Sequence, residues 1–469
     1  MRNKLYKIAF AVGIVAGSVW LGNAMVRSAD MGLTILVGLV PAGFCVWVIL
    51  KDPNDRRFLL RVFLGALSLR WIVAFVIDYK HLQNFFGGDA NTFDIVGNAL
   101  SQAWSGIGSV ETTYMTSYIG AGRPGWGMFY FVASIYYVIG HSPLAIQLIN
   151  CSFGAASCVA VYKIAQILYP SQRVARTAAI LTAVAPSMIL WSSQMLKDAP
   201  IVLCLCMCAL YALKLRSEYR LKSVVVLVIF LCCLFALRNY AFYIMFLAIA
   251  SSLLFAARQV TPLRMIQGGV LVLIIGVALA YFGAASVSKE TFDLKRIQAA
   301  REWSAKEANS GFGGDVDISD PNAALSFMPI GVLYVLVAPF PWMINSVRQI
   351  ITLPELVAWW VLFPMLIKGY WFAVRHRLKT SFAICIFTVG LTFAYALYQS
   401  NVGTAYRHRA QLYVFFFIFI SIGLELRRAA KLERRKQFVF GGSGVTAQPG
   451  PFPTPLTAKS VTQRSSISN

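Results

Sequence analysis

Apolar residues run along this chain in blocks of about twenty, the length that crosses a hydrocarbon layer as a helix, separated by short polar or basic stretches. The blocks fall at residues 8–26, 32–50, 58–77, 174–191, 199–215, 224–237, 241–257, 265–285, 357–374, 382–398 and 412–424, with further apolar elements over 126–169 and 327–343. Continuous runs exclude a membrane β-barrel, whose strands alternate with period two. The pattern predicts an all-α fold: a polytopic transmembrane helical bundle of roughly 11–14 membrane helices. Two large extracytoplasmic loops are expected, at 78–125 and 286–326.

Several blocks are interrupted, and the interruptions carry information. The run 224–257 is too long for one crossing and holds Arg238-Asn239-Tyr240 at its middle, so two shortish helices meeting at Arg238 are expected. The run 126–169 breaks near Gly140-His141-Ser142-Pro143. Two full crossings there would put Arg173 and Arg176 on the wrong side, so one of the two elements is expected to be short, re-entrant or broken. The run 327–343 contains Pro329 and ends Pro339-Phe340-Pro341-Trp342, which suits a broken element lining a cavity. No internal repeat is visible.

After the block at 58–77 comes Phe85-Phe86-Gly87-Gly88-Asp89-Ala90-Asn91-Thr92-Phe93-Asp94, continuing to Trp104. Phe93, Val96, Leu100 and Trp104 share one helical face, and Asn91, Asp94, Asn98 and Gln102 the other. This spacing predicts a helix lying along the membrane surface with Trp104 as its interfacial anchor. Asp89 and Asp94 then sit at the water–lipid boundary beside a glycine pair that lets a substrate approach the backbone. The structural alternatives are a helix N-cap for Asp89 and a solvated polar face for Asp94.

Composition confirms the class: 58% hydrophobic, 13% charged and a mean hydropathy of +0.65 do not occur in soluble globular proteins. The formal charge of +23 raises nucleic acid as a partner, but its distribution argues against it. Basic residues cluster in short loops at 51–61, 173–176, 216–222, 375–379 and 427–436, the positive-inside pattern of a cytoplasmic face. No basic domain with interleaved aromatics is present to bind DNA or RNA. Three segments follow: residues 1–57, an uncleaved N-terminal transmembrane hairpin and basic loop; 58–430, the main transmembrane region with both large outer loops; and 431–469, a basic and then disordered tail. Both termini are expected in the cytoplasm. All nine cysteines lie in apolar runs, so no disulfide is expected, and Cys204, Cys206 and Cys208 point in different directions on a helix, which disfavours a metal site.

On this topology the polar residues that end or interrupt apolar blocks gather on the outer side: Asp89 and Asp94; Lys197 and Asp198; Arg238 and Tyr240; Arg407, His408 and Arg409. Ionisable groups at membrane depth are costly and mark sites. A carboxylate can take a proton from, or orient, an attacking group, while Arg and Lys hold a departing phosphate. A lipid-linked phosphosugar presents that phosphate at the bilayer surface. Structural alternatives are ion pairing between helices for Lys197 and Asp198 and lipid headgroup contact for Arg407–Arg409. Asp315-Val316-Asp317 has the spacing of a divalent-metal site, although such spacing arises readily by chance in a Gly/Asp-rich loop. His81 and His141 stand alone and read as interfacial.

These features resemble the GT-C superfamily, polytopic glycosyltransferases that use polyprenyl-phosphate sugars. Gly88-Asp89-Ala90 follows an outward span in the first large outer loop; residues 186–198, ending Lys197-Asp198, are similar to the segment carrying a second acidic position; and Tyr406-Arg407-His408-Arg409 is similar to the Arg-Tyr-Arg stretch of the protein O-mannosyltransferase and aminoarabinose transferase type. The chain departs in its extra leading hairpin and in having Phe93 where a Tyr is usual, which leaves Asp89 and Asp94 both open as the match. The resemblance implies Asp89 as catalytic base, Asp198 as a second acid, and Arg238 and Arg407 as phosphate contacts. It implies sugar transfer to an envelope or exopolysaccharide acceptor, a glycan or lipid-linked molecule, at the outer face of a bacterial inner membrane. One rival is an O-antigen polymerase or ligase-like protein, in which Arg and His would dominate. Another is a transporter or flippase for a lipid-linked anionic solute, which would be expected to show paired repeats.

Overall fold

The computed structural model describes residues 29–86, 88–107, 125–218, 220–255, 293–307, 311–313, 316–344 and 347–440. The apolar blocks at 8–26 and 265–285, and the tail beyond 440, lie outside them. The described residues are all-α: a polytopic bundle in which six helices are long and apolar enough to cross a membrane. It begins with α1 (Ala29–Leu50), α2 (Arg56–Tyr79), a single turn α3 (Gln83–Phe86) and α4 (Asp89–Trp104). Then come α5 (Trp126–Ile139), α6 (Pro143–Leu168), α7 (Gln172–Val184), α8 (Pro186–Ser192) and α9 (Asp198–Ser217). The remainder is α10 (Leu221–Leu237), α11 (Asn239–Phe255), α12 (Leu294–Glu307), α13 (Pro321–Val337), α14 (Val347–Tyr398) and α15 (Val402–Phe440).

The parity problem at 126–169 resolves in α5. That helix has 14 residues and is too short to span, whereas α6 has 26 and spans alone. Gly140, at φ 82, ends α5 and turns the chain. The block at 174–191 is not one straight helix: α7 and α8 meet at 57°. Pro186 lacks an N–H and holds Ala185 extended, so the helical ladder stops there. Carbonyls freed by the break must be satisfied inside the bundle. Arg70, at the middle of α2 and fully buried, does this by donating to the carbonyls of Thr182 and Ala183, both at 3.3 Å, and to Ser192 Oγ at 2.8 Å. The block 224–257 divides at Arg238 into α10 and α11, as its central charge predicts. Within α14 the two blocks at 357–398 are two helices: the chain leaves helical geometry at Arg377 and folds back, so that the Tyr370 hydroxyl of the first donates to the Cys385 carbonyl of the second at 3.1 Å.

The α6 helix sits at the centre, buried along almost its whole length and packed by α1, α2, α7 and α9. Without a hydrophobic driving force between helices in lipid, close contact needs small residues. The crossing of α14 and α15 shows this: a Cβ on Gly369 would collide with the Phe419 carbonyl, and one on Gly423 with the Met365 carbonyl.

The bundle has two distinct ends. At one, Lys163 meets Asp52 at 2.7 Å, and Arg176 grips both oxygens of Asp55 at 2.7 Å. This brings the basic loops at 51–61 and 173–176 together. Arg176 first, through its hydrogen bond, holds the Asp55 carboxyl below its ordinary range. Toward the other end of the 26-residue α6, which is about 39 Å long, lie Asp89, Asp94 and the start of α15.

Candidate functional site

Two carboxylates are set by helix starts. Asp89 occupies the first turn of α4 and Asp198 the first turn of α9, where the helix dipole favours negative charge. The turn before α9 is pinned by Asn150 of α6, whose amide donates to the carbonyls of Gln194 at 2.8 Å and Leu196 at 2.9 Å. Arg407, in the first turns of α15, lies between the two acids. Its Nη1 donates to Asp89 Oδ2 at 2.7 Å, its Nε donates to Asp198 Oδ2 at 2.7 Å, and its Nη2 lies 2.6 Å from the same oxygen. Arg238, at the α10–α11 junction, places Nη2 3.6 Å from Asp198 Oδ1. Side-chain exposures of 2% for Asp198, 5% for Arg238 and 12% for Arg407 show a desolvated cluster, whereas Asp89, at 58%, forms its open edge.

Lys197 completes the group. Gly125, at φ 81, lets the backbone before α5 pass the Lys197 ammonium, which a Cβ there would strike. Burial, and then the nearby Arg238, push the Lys197 pKa down to about 8; Asp198 and Asp89 only partly restore it. Burial raises the Asp89 carboxyl, but Arg407 outweighs it, helped by Lys197 and Arg238, and holds it below its ordinary range. With Lys197 protonated, three cations face two carboxylates, so the cluster carries one positive charge in excess. That surplus fits an anion, and planar guanidinium groups suit phosphate oxygens.

Aromatic side chains wall the cluster. The Arg407 guanidinium lies 5.7 Å from the Trp191 ring and that of Arg238 5.7 Å from the Tyr240 ring. Tyr240 stacks on Tyr398 at 5.3 Å. His408 stacks on Tyr395 at 5.3 Å and its Nδ1 meets Gln399 Nε2 at 2.8 Å. Arg238 Nη1 reaches the Tyr395 hydroxyl at 3.5 Å, so His408 stands one layer behind the cations.

The structure therefore brings Asp89, Lys197, Asp198, Arg238 and Arg407 together, with Tyr240 and His408 lining them. It takes Asp94 and Arg409 elsewhere. Asp94 Oδ1 accepts from the Tyr136 hydroxyl at 2.7 Å and meets His141 Nε2 at 2.8 Å. Arg409 is fully buried and donates to the carbonyls of Val335, at 2.7 Å, and Ala338, where α13 ends. Asp315 lies outside the described residues; Asp317 accepts from the Ser319 amide at 2.8 Å in an exposed turn.

Sequence reasoning passed over Arg70 and Glu355, which shape this end, and read His141 as a lone interfacial residue. Arg70 supports the α7–α8 break, and its signal was a charge inside an apolar block. Glu355, near the start of α14, is 7% exposed. It accepts from the Ser187 amide at 2.7 Å, the Ser187 hydroxyl at 2.6 Å and the Tyr406 hydroxyl at 2.6 Å. His141 stood alone in the sequence because its partner Asp94 is 47 residues away.

The structure thus gathers three cations and two acids at one end of a multi-pass helical bundle. Residues 124–282 match the family model of dolichyl-phosphate-mannose-protein mannosyltransferases, a family of the GT-C type. The match covers about a third of the chain; it supports the resemblance drawn from the short motifs and a membrane glycosyltransferase of the GT-C type. The matched segment contains Lys197, Asp198 and Arg238, and ends well before Arg407. A search of curated proteins returns no match.

Proposed function

We propose that this protein transfers a sugar from a polyprenyl-phosphate donor to an envelope or exopolysaccharide acceptor at the outer face of a bacterial inner membrane. The observation that carries the reading is Arg407 held between Asp89 and Asp198 with Arg238 and Lys197 beside it. Lys197, Arg238 and Arg407 take the donor phosphate. The buried Asp198 fixes the two guanidinium groups in place before the donor arrives, so little reorganisation is needed during reaction. Asp89, ionised and exposed, receives the proton of the acceptor hydroxyl. The hydroxyl oxygen attacks the anomeric carbon from the face opposite the phosphate. The carbon–oxygen bond to phosphate breaks, its electron pair stays on the leaving polyprenyl phosphate, and the configuration inverts.

Orientation follows from charge. The basic loops gather at the end opposite the cluster, and such loops face the cytoplasm. The test uses the protein in nanodiscs with a radiolabelled polyprenyl-phosphate sugar and measures release of the polyprenyl phosphate. Arg238→Gln and Lys197→Gln should raise the donor KM, and Asp89→Asn should lower kcat by roughly 10²-fold or more, the scale of a lost general base. Full activity in Asp89→Asn removes the base assignment. Unchanged donor KM in both cation variants removes the phosphate assignment.

A further inference from the structure

A second polar group lies on the same end of the bundle, outside the cation cluster. It joins Asp94 in the second turn of α4, Tyr136 near the end of α5 and His141 in the α5–α6 turn. Asp94 Oδ1 accepts from the Tyr136 hydroxyl at 2.7 Å and meets His141 Nε2 at 2.8 Å. The Tyr136 ring stands edge-on to the His141 ring at 5.0 Å. Tyr136 also reaches Met195 Sδ at 3.5 Å, tying the group to the turn that carries Lys197 and Asp198. One oxygen of Asp94 and one nitrogen of His141 are thereby fixed. Among the described residues, no hydrogen bond engages Asp94 Oδ2 or His141 Nδ1, and the two side chains are 25% and 48% exposed.

We infer that Asp94 and His141 form a binding site for a neutral sugar of the acceptor, next to the sugar that reacts. This rests on the transfer reading above and narrows its acceptor to a glycan of at least two units. A carboxylate oxygen and an imidazole nitrogen held side by side match two neighbouring hydroxyls of a sugar: the carboxylate accepts and the imidazole donates or accepts. No cation of the phosphate cluster bonds to the pair, and its own carboxylate disfavours a phosphate. A neutral polyhydroxyl suits both facts. The register along α4 sets the distance. Asp89 and Asp94 are five residues apart, about 7.5 Å along the axis, and about 140° apart around it. The two carboxylates thus face different sides of α4, which suits the pair to gripping the neighbouring unit of the chain while Asp89 meets the reacting one.

Asp94→Asn and His141→Gln keep size and hydrogen-bonding capacity while changing charge or tautomer, and Tyr136→Phe removes only the hydroxyl lock. Each is tested in nanodiscs after its thermal unfolding is shown to match the wild type. Saturation-transfer NMR uses neutral methyl disaccharides and, separately, mannose 1-phosphate as an anionic probe; transfer kinetics use the same disaccharides and the corresponding monosaccharides. The expected result is a disaccharide signal in the wild type that is lost in Asp94→Asn and His141→Gln and weakened in Tyr136→Phe. The acceptor KM should rise about ten- to a hundred-fold, the scale of a hydrogen bond to a charged group, with kcat nearly unchanged. The mannose 1-phosphate signal should persist in these variants and fall in Lys197→Gln. Disaccharides no better than monosaccharides as acceptors, a wild-type disaccharide KM in both Asp94→Asn and His141→Gln, or a fall in kcat without a rise in KM would overturn the inference. The phosphate reading would survive if mannose 1-phosphate still depended on Lys197, and would fail separately if it did not.

Discussion

Replacing Asp198 by Asn removes one charge from a place where water cannot substitute for it. Asp198 is 2% exposed and faces three nitrogens, Arg407 Nε at 2.7 Å, Arg407 Nη2 at 2.6 Å and Arg238 Nη2 at 3.6 Å. Breaking a buried pair leaves a desolvated charge uncompensated and costs about 3–5 kcal/mol. Asp89 makes one 2.7 Å contact with the same guanidinium but is 58% exposed, so solvent screens it and its loss costs about 0.2–1 kcal/mol. Equal chemistry at the two ends of Arg407 therefore predicts unequal stability. The assay is reversible unfolding in mixed detergent micelles for Asp198→Asn, Asp89→Asn and Arg407→Gln, with both double variants. The coupling energy of Asp198 with Arg407 should exceed that of Asp89 with Arg407 by about 2 kcal/mol or more. Equal coupling energies, or a loss under about 1 kcal/mol in Asp198→Asn, would refute the claim that burial ranks the two acids.

The lowered Lys197 pKa, about 8, sets a pH limb. Its positive charge is full below that value and lost as pH rises through it, so the donor KM should climb above about pH 8, and Lys197→Gln should abolish the climb. Gly125→Ala should raise the donor KM and lower the unfolding temperature, because the added Cβ strains a residue at φ 81 and displaces the Lys197 ammonium. Glu355→Gln replaces a carboxylate that three donors address and should cost about 1.5–3 kcal/mol in stability, with Arg407 reoriented through Tyr406 and kcat reduced. Arg409→Ala should lower stability by about 1–3 kcal/mol, by leaving carbonyls at the end of α13 unpaired, while the donor KM of the folded fraction stays unchanged.

The sequence by itself determined that this is a bundle of membrane helices, where most of them run, and which loops are basic. Those properties are local: a run of apolar residues must bury its own backbone as a helix in lipid whatever its neighbours do. The division at Arg238 was legible for the same reason, since a charge in the middle of a long apolar run forces a boundary. The short α5 was only half legible: parity demanded a short or broken element within 126–169 without saying which. Tertiary structure alone decided the membership of the site. Arg407, His408 and Arg409 are consecutive, but about 100° per residue turns them to three directions, so one meets the acids, one stacks on Tyr395 and one caps α13. Asp89 and Asp94 share a helix and the sequence left both open; the packing of α15 against one turn and of the α5–α6 turn against the other separated them. Contacts between residues hundreds of positions apart, such as Asp89 with Arg407, leave no trace in local spacing, because they depend on how whole helices cross and not on what any one helix contains.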